Sequence, residues 1–243
     1  MSTGSVVIEC ASEGFAPHRL DHSVVVIDVI RATTTAMTAV ALGRRCYPVA
    51  SLEAAEELRG TLTEPLVGGE LGGSLPFAFD IQNSPAELAG RTDIHRPLVL
   101  LSSNGTQLMA KIGSGRRATF VACLRNVAAQ AEALREHRRV LLLCAATRGQ
   151  FREEDQLCAA WIAERLMADG HVSADGPTTA LVERWSGSRL DVLREGRSAA
   201  YLDASGQNAD LEFVLEHVDD LRSAYRLQGG EVVAAGVASP ALP

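Results

Sequence analysis

Residues 24–30 read Val-Val-Val-Ile-Asp-Val-Ile, an apolar run with no polar alternation. A strand with one wet face alternates; a strand covered on both faces does not, and parallel sheets are built from such strands. The run therefore asks for cover on both sides. Arg31 and Thr33-Thr34-Thr35 come next, then the helix-like Ala36–Leu42 with Gly43 as its stop. A helix N-terminus offers free N–H groups and partial positive charge, so hydroxyls and a guanidinium there make a place for an oxyanion. Asp28 lies in the same turn, where a carboxylate beside a bound anion makes sense only with a cation or a chemical step between them. Taken alone, a Thr33 N-cap and an Arg31–Asp28 ion pair explain the segment equally well.

The rest of the chain repeats this grammar. Strand-like segments at 5–9, 24–29, 46–50, 98–101, 119–122 and 140–145 alternate with helix-like segments at 51–59, 86–89, 104 onward, 127–137 and 154–168. Ser51, Ser84 before Pro85, and Asn126 stand at N-cap positions. The expected fold is α/β: a mostly parallel or mixed sheet with helices on both faces. From about residue 171 the pattern turns to short amphipathic helices, and 223–227 and 231–235 flank Gly229-Gly230 as a terminal hairpin. The chain reads as one domain, with a motif-bearing core over about 5–170 and a helical C-terminal elaboration over about 171–243.

With 243 residues, 47% hydrophobic, the chain has material for a sizeable core. A net charge of −7 argues against general nucleic-acid binding but leaves a small anionic substrate open. Cys10, Cys46, Cys123, Cys144 and Cys158 form no CxxC pair and lie mostly in apolar surroundings, as buried inert thiols do in a reducing, cytoplasmic setting. No export signal and no bilayer-length apolar run is visible.

Four strands end in polar clusters: Asp28/Arg31/Thr33, Ser102/Ser103/Asn104, Arg125/Asn126 and Thr147/Arg148. In an open α/β sheet such carboxyl ends share one edge, where ligands bind. Caps and turns explain each cluster singly; together they favour a site. Its candidate phosphate- and substrate-binding residues are Thr33, Thr34, Thr35, Asn83, Ser103, Asn104, Gly105, Thr106, Arg125 and Asn126. The loop Gly68-Gly69-Glu70-Leu71-Gly72-Gly73 sets one carboxylate among glycines that allow close backbone approach; a solvated loop glutamate is the plainer reading. Asp80, Asn83 and Ser84 precede a helix as turn former, ligand contact and cap. Glu153-Glu154-Asp155 opens another, where the macrodipole favours acidic residues anyway. A hard cation such as Mg²⁺ takes oxygen ligands and needs only one or two carboxylates beside a phosphate, so Asp28, Glu70 and Asp155 would suffice. The scattered histidines give no zinc spacing.

Several schemes are excluded. There is no GxxxxGK[ST], no strand followed by GxGxxG, no GxSxG and no cysteine with an arginine six residues on. Ile30 stands where aspartyl-nucleophile phosphatases usually carry a second aspartate.

The segments Ile27–Thr35, Gly68-Gly69-Glu70, Phe79-Asp80 with Asn83-Ser84-Pro85, Asn104-Gly105-Thr106, and Cys144-Ala145 followed by Glu154-Asp155, in this order, resemble the 2-phosphosulfolactate phosphatases over roughly 24–168. The resemblance implies a Mg²⁺-dependent α/β phosphatase that converts 2-phospho-3-sulfolactate to sulfolactate, a step toward coenzyme M. Such a substrate needs fixed cations, for which Arg31, Arg125 and Arg148 are the candidates. The catalytic set expected is Asp28, Arg31, Arg148 and Asp155, with Asp28, Glu70 and Asp155 on the metal. Asp28 acts either as a metal ligand for an attacking water or as nucleophile through an acyl phosphate. The same chemistry on another phosphorylated hydroxy acid, and a non-catalytic phosphometabolite-binding protein, are the competing functions; the carboxylates repel an anion and so speak against a pure binder. No nucleic-acid or membrane partner is expected, and a homodimer is compatible with the chain.

Overall fold

The computed structural model describes residues 4–10, 21–113, 118–146 and 150–235. The strands are β1 (Ser5–Glu9), β2 (Ser23–Ile27), β3 (Cys46–Val49), β4 (Leu66–Gly69), β5 (Ile81–Gln82), β6 (Leu98–Leu101), β7 (Thr119–Ala122), β8 (Arg139–Cys144), β9 (Val172–Ser173), β10 (Tyr225–Gln228) and β11 (Glu231–Ala234). The helices are α1 (Ala32–Ala41), α2 (Leu52–Thr61), α3 (Pro85–Ala89), α4 (Gly105–Gly113), α5 (Val127–Leu134), α6 (Glu153–Ala168), α7 (Gly176–Trp185), α8 (Arg197–Ala204) and α9 (Asn208–Glu216). This is the expected mixed α/β fold with a mostly parallel sheet.

The apolar runs became doubly covered strands. Val7, Val24, Leu141 and Leu143 pack with Ile112 of α4 on one face of the sheet. Ile8, Val25, Val140 and Leu142 join Ala131 and Leu134 of α5 and Leu157, Ile162 and Leu166 of α6 on the other. Period-2 alternation is lost in sequence because neither face is wet.

Sheet order departs from the sequence reading. Among the described residues the sheet has eleven strands in the order β5-β4-β6-β3-β11-β10-β7-β2-β8-β1-β9. The β10–β11 hairpin forms as expected, but it is inserted between two parallel halves rather than appended to the core. β10 pairs antiparallel with β7, and β11 antiparallel with β3. Three successive antiparallel steps make β3, β4 and β6 run, strand by strand, against β7, β2 and β8. Among the described residues the polar strand ends therefore do not all belong to one parallel set: β2 and β7 are parallel neighbours, whereas β6 belongs to the other half.

Local chemistry set several helix starts. The Ser51 hydroxyl caps α2 by accepting from the Ala54 N–H, and the Ser84 hydroxyl caps α3 ahead of Pro85. α1 starts four residues earlier than expected, with Arg31 at its N-cap position and no side-chain cap, so Thr33 lies inside the helix. Asn126 stands before α5, but its side chain turns back to accept from the Cys123 N–H.

Candidate functional site

Asp28 directly follows β2, and two N–H groups hold its carboxylate. The Ala32 N–H donates to Oδ1 at 3.3 Å, and the Gly105 N–H donates from the start of α4. Gly105 is there because nothing larger fits: a Cβ would stand 2.2 Å from Asp28 Oδ2 and 2.7 Å from the Ala32 Cβ. The loops after β2 and β6, from opposite halves of the sheet, meet at this contact.

Glu70 leaves β4 through the glycine loop and is held at both oxygens. The Ser103 N–H donates to Oε1 at 2.7 Å; the Ser103 hydroxyl and the Gly73 N–H donate to Oε2 at 2.9 and 2.7 Å. Asp155, in the first turn of α6, accepts the Val29 N–H at Oδ1, 2.7 Å away. Three carboxylates from three elements thus sit on one wall. Burial pushes the Asp28 carboxyl up to about 6, against the Ala32 N–H and with added repulsion from Glu70. Burial, then the Glu154 and Asp28 charges, raise Asp155 well above the usual carboxylate range. Burial likewise raises Glu154 to about 7, against a hydrogen bond from the Ser198 hydroxyl.

Asp28, Glu70 and Asp155 line one cavity of about 570 Å³, with Arg31, Asn83, Ser103 and Asn104 beside them. That is the size of a small-molecule site. Arg31 and Asp210 form an ion pair at 2.6 Å, both almost fully buried. Arg31 also donates through Nη1 to Gln207. Asp210 in turn accepts from the Ser84 hydroxyl at 2.6 Å and the Ala86 N–H at 3.1 Å, so one buried carboxylate of α9 fixes both Arg31 and the start of α3. Asn83 is buried, and its Oδ1 has no hydrogen-bond partner among the described residues.

Other expected contacts lie away from the cavity. The Thr33 hydroxyl donates to the Asp28 carbonyl and accepts the Asp28 N–H, and the Thr34 hydroxyl donates to the Val29 carbonyl. Both tie down the loop instead of facing a ligand; Thr35 is fully buried. Thr106 exchanges hydrogen bonds with Ser102 in the same supporting manner. Gly105 contributes close approach and an N–H to Asp28. Arg125 is buried against α9: it pairs with Asp220 at 2.6 and 3.0 Å, donates to the Thr38 hydroxyl and lies over the Phe213 ring. Asn126 is fully buried and donates to Gln130. Arg148 and Thr147 lie outside the described residues.

The cavity also has a wall that sequence reasoning missed. Gln150 and Arg152 ahead of α6, and Arg197, Ser198, Tyr201 and Leu202 of α8, complete it. The Tyr201 hydroxyl donates to the Gly73 carbonyl at 2.8 Å, joining α8 to the glycine loop. Ile30 packs with Ala199, Leu202 and Leu211 and seats the C-terminal helices beside Arg31. The weak signal was Arg197-Ser198 at the first turn of an amphipathic helix, which by itself reads as surface.

As a donor set the wall is all oxygen, which suits a hard cation. Among the described residues no three His, Cys, Asp or Glu side chains converge as a ready-made cage. Each carboxylate already accepts N–H donors, so the wall fits an ion that keeps most of its water and takes one or two carboxylates. The described cysteines are free, and four of the five are buried. No described helix is long and apolar enough to cross a membrane.

Residues 11–222 match the family model described as 2-phosphosulpholactate phosphatase. A protein of Methanothermobacter thermautotrophicus named 2-phosphosulfolactate phosphatase is 34% identical over 194 residues, covering 79% of this chain and 81% of its own. Proteins named probable 2-phosphosulfolactate phosphatase are similar too. That of Pseudothermotoga lettingae is 34% identical, covering 81% of this chain and 86% of its own. That of Carboxydothermus hydrogenoformans is 36% identical, covering 77% and 85%.

Proposed function

The chain belongs to the 2-phosphosulpholactate phosphatase family, and from that premise we propose that it hydrolyses 2-phospho-3-sulfolactate to sulfolactate and phosphate, with Mg²⁺ held at the acidic wall. The observation that carries this reading is the convergence of Asp28, Glu70, Asp155 and Arg31 on one cavity. 2-Phosphosulfolactate phosphatases are phosphoric monoester hydrolases, and their substrate brings phosphate, carboxylate and sulfonate into one small molecule.

Asp28 and Asp155, with Glu70 beside them, would hold the cation, which when bound supplies Lewis-acid neutralisation of the phosphoryl oxygens. The chain's own residues do the rest. Arg31, whose Nη1 serves Asp210 and Gln207, presents the rest of its guanidinium to the phosphoryl oxygens and stabilises the charge that builds in the transition state. Its fixed position costs no reorganisation when the substrate arrives. Asn83 and Asn104 orient the ester. Asp28, at the floor, either directs the attacking water or attacks phosphorus itself; inversion of configuration at an isotopically chiral phosphoryl group selects the first, and retention with a trapped phosphorylated Asp28 selects the second.

The test is phosphate release from 2-phosphosulfolactate and a panel of phosphomonoesters, with Mg²⁺ and with EDTA. Mg²⁺-dependent release, lost by about a hundredfold or more in Asp28→Asn, is the expected outcome. Release unaffected by EDTA removes the metal. Absence of release from every ester removes the phosphatase.

A further inference from the structure

β1 and β8 run parallel, and Glu9 stands beside Leu143 at their carboxyl ends. One step further, the register sets Cys10 beside Cys144. Val6 and Ile8 face the same side of the sheet as Val140 and Leu142, packed against α6, and the partly buried Cys10 and the buried Cys144 continue those two rows. Both side chains therefore lie on the α6 face. The two thiols are in hydrogen-bond contact, and the Gln156 side chain also hydrogen-bonds to Cys10. Paired strands lie about 4.8 Å apart, inside the Cα separation that a disulfide spans. Cys46, Cys123, Cys144 and Cys158 are buried, so Cys10 is the thiol that an oxidant reaches from solvent. The contact with Cys144 holds the Cys10 thiol below its usual value, against burial, whereas burial raises Cys46, Cys123 and Cys158. No CxxC spacing announces this pair; strand register makes it from residues far apart in sequence.

We infer that Cys10 and Cys144 form an oxidative modification site, at which a hydroperoxide oxidises Cys10 and Cys144 resolves the product to a reversible disulfide behind the cavity wall. The Cys10 sulfur attacks one peroxide oxygen, the O–O bond breaks, and Cys10 sulfenic acid and one water form. The Cys144 sulfur then attacks the Cys10 sulfur. The S–S bond forms, the S–O bond breaks, and the hydroxyl leaves with the Cys144 proton as a second water. In all, two thiols lose two electrons and two protons to the peroxide, and a dithiol reductant returns them. The position gives the bridge a consequence. The Cys144 thiol donates to the Asp155 carbonyl at 3.5 Å, and Ala145, next in the chain, lines the cavity together with Asp155. The bridge removes that donor and ties the ends of β1 and β8 together behind the acidic wall, which lowers turnover.

The test treats the full chain with hydrogen peroxide, removes the excess with catalase, alkylates the free thiols and maps the unreduced peptides by mass spectrometry. The expected product is one intramolecular Cys10–Cys144 bridge, a loss of two hydrogens that dithiothreitol reverses. Cys144→Ser stops at a Cys10 sulfenic acid, which dimedone captures. Cys10→Ser forms no bridge and keeps the thermal midpoint of the untreated wild type. This mapping does not depend on turnover, so it is decided separately from the proposed reaction. Both thiols still free after peroxide, or a bridge between other cysteines or between two chains, overturns the inference. Phosphate release by the wild type falls at least about fivefold on oxidation and returns on reduction, while Cys10→Ser resists the treatment. A bridge that leaves phosphate release unchanged overturns its hold on the cavity.

Discussion

Gly105 shows how little room the cavity floor leaves. Its missing Cβ is what lets the α4 N-terminus donate to Asp28 while the sheet halves touch. Gly105→Ala must displace the carboxylate by part of an ångström, and phosphate release should fall by about a hundredfold with substrate binding less affected; steady-state kinetics with a KM-against-kcat split checks this. Arg125 makes the opposite case. A strand-end arginine looks like an anion contact, yet its guanidinium is spent on Asp220 and Thr38. Arg125→Met should lower stability by about 2 kcal/mol in urea unfolding and leave KM for the phosphoester unchanged. Asp28, Glu70 and Asp155 were legible because a carboxylate after an apolar run, among glycines or in a helix's first turn stands out. Whether a polar side chain faces a cavity or its own backbone was not legible. Thr33 and Asn104 lie in similar strand-to-helix turns, and only rotamer and packing separate them.

At the scale of elements, the helices that follow residue 171 are part of the site rather than a decoration on it. α9 supplies Asp210 to Arg31, and α8 supplies Arg197, Ser198, Tyr201 and Leu202 to the wall. Asp210→Ala leaves Arg31 buried without its counter-charge and strips acceptors from Ser84 and the Ala86 N–H. The expected cost is about 3 kcal/mol in chemical denaturation. Asp210→Asn, which keeps shape and some hydrogen bonds, should fold better yet still lower kcat/KM, since it no longer fixes the guanidinium by charge; comparing the two variants separates positioning from stability. The amphipathic spacing of these segments announced helices with one buried face. It carried nothing about what that face would meet, because the partner, Ile30, lies far away in sequence.

For the molecule as a whole, the hairpin is the keystone between two parallel half-sheets. Val232 is buried at its centre, and β10 and β11 cover what would otherwise be open edges of β7 and β3. A chain ending at residue 222 should therefore expose two apolar strand edges and aggregate; light scattering and size exclusion would show it. A truncated chain that keeps the full chain's oligomeric state and activity would mean that the halves hold together without the hairpin.

The chain's own pattern settled what is local: doubly covered strands from unbroken apolar runs, helix starts from Ser51 and Ser84-Pro85, and which carboxylates stand at strand ends, among glycines or in a helix's first turn. These follow from period, capping and backbone freedom within a few residues. Tertiary structure alone decided that the last two strands enter the middle of the sheet. It also decided that the β6 loop reaches Asp28 from the opposing half, and that arginines near residues 152 and 197 complete the wall. Strand order and long-range ion pairing depend on which buried surfaces fit together, and no short window of sequence contains both partners of such a contact.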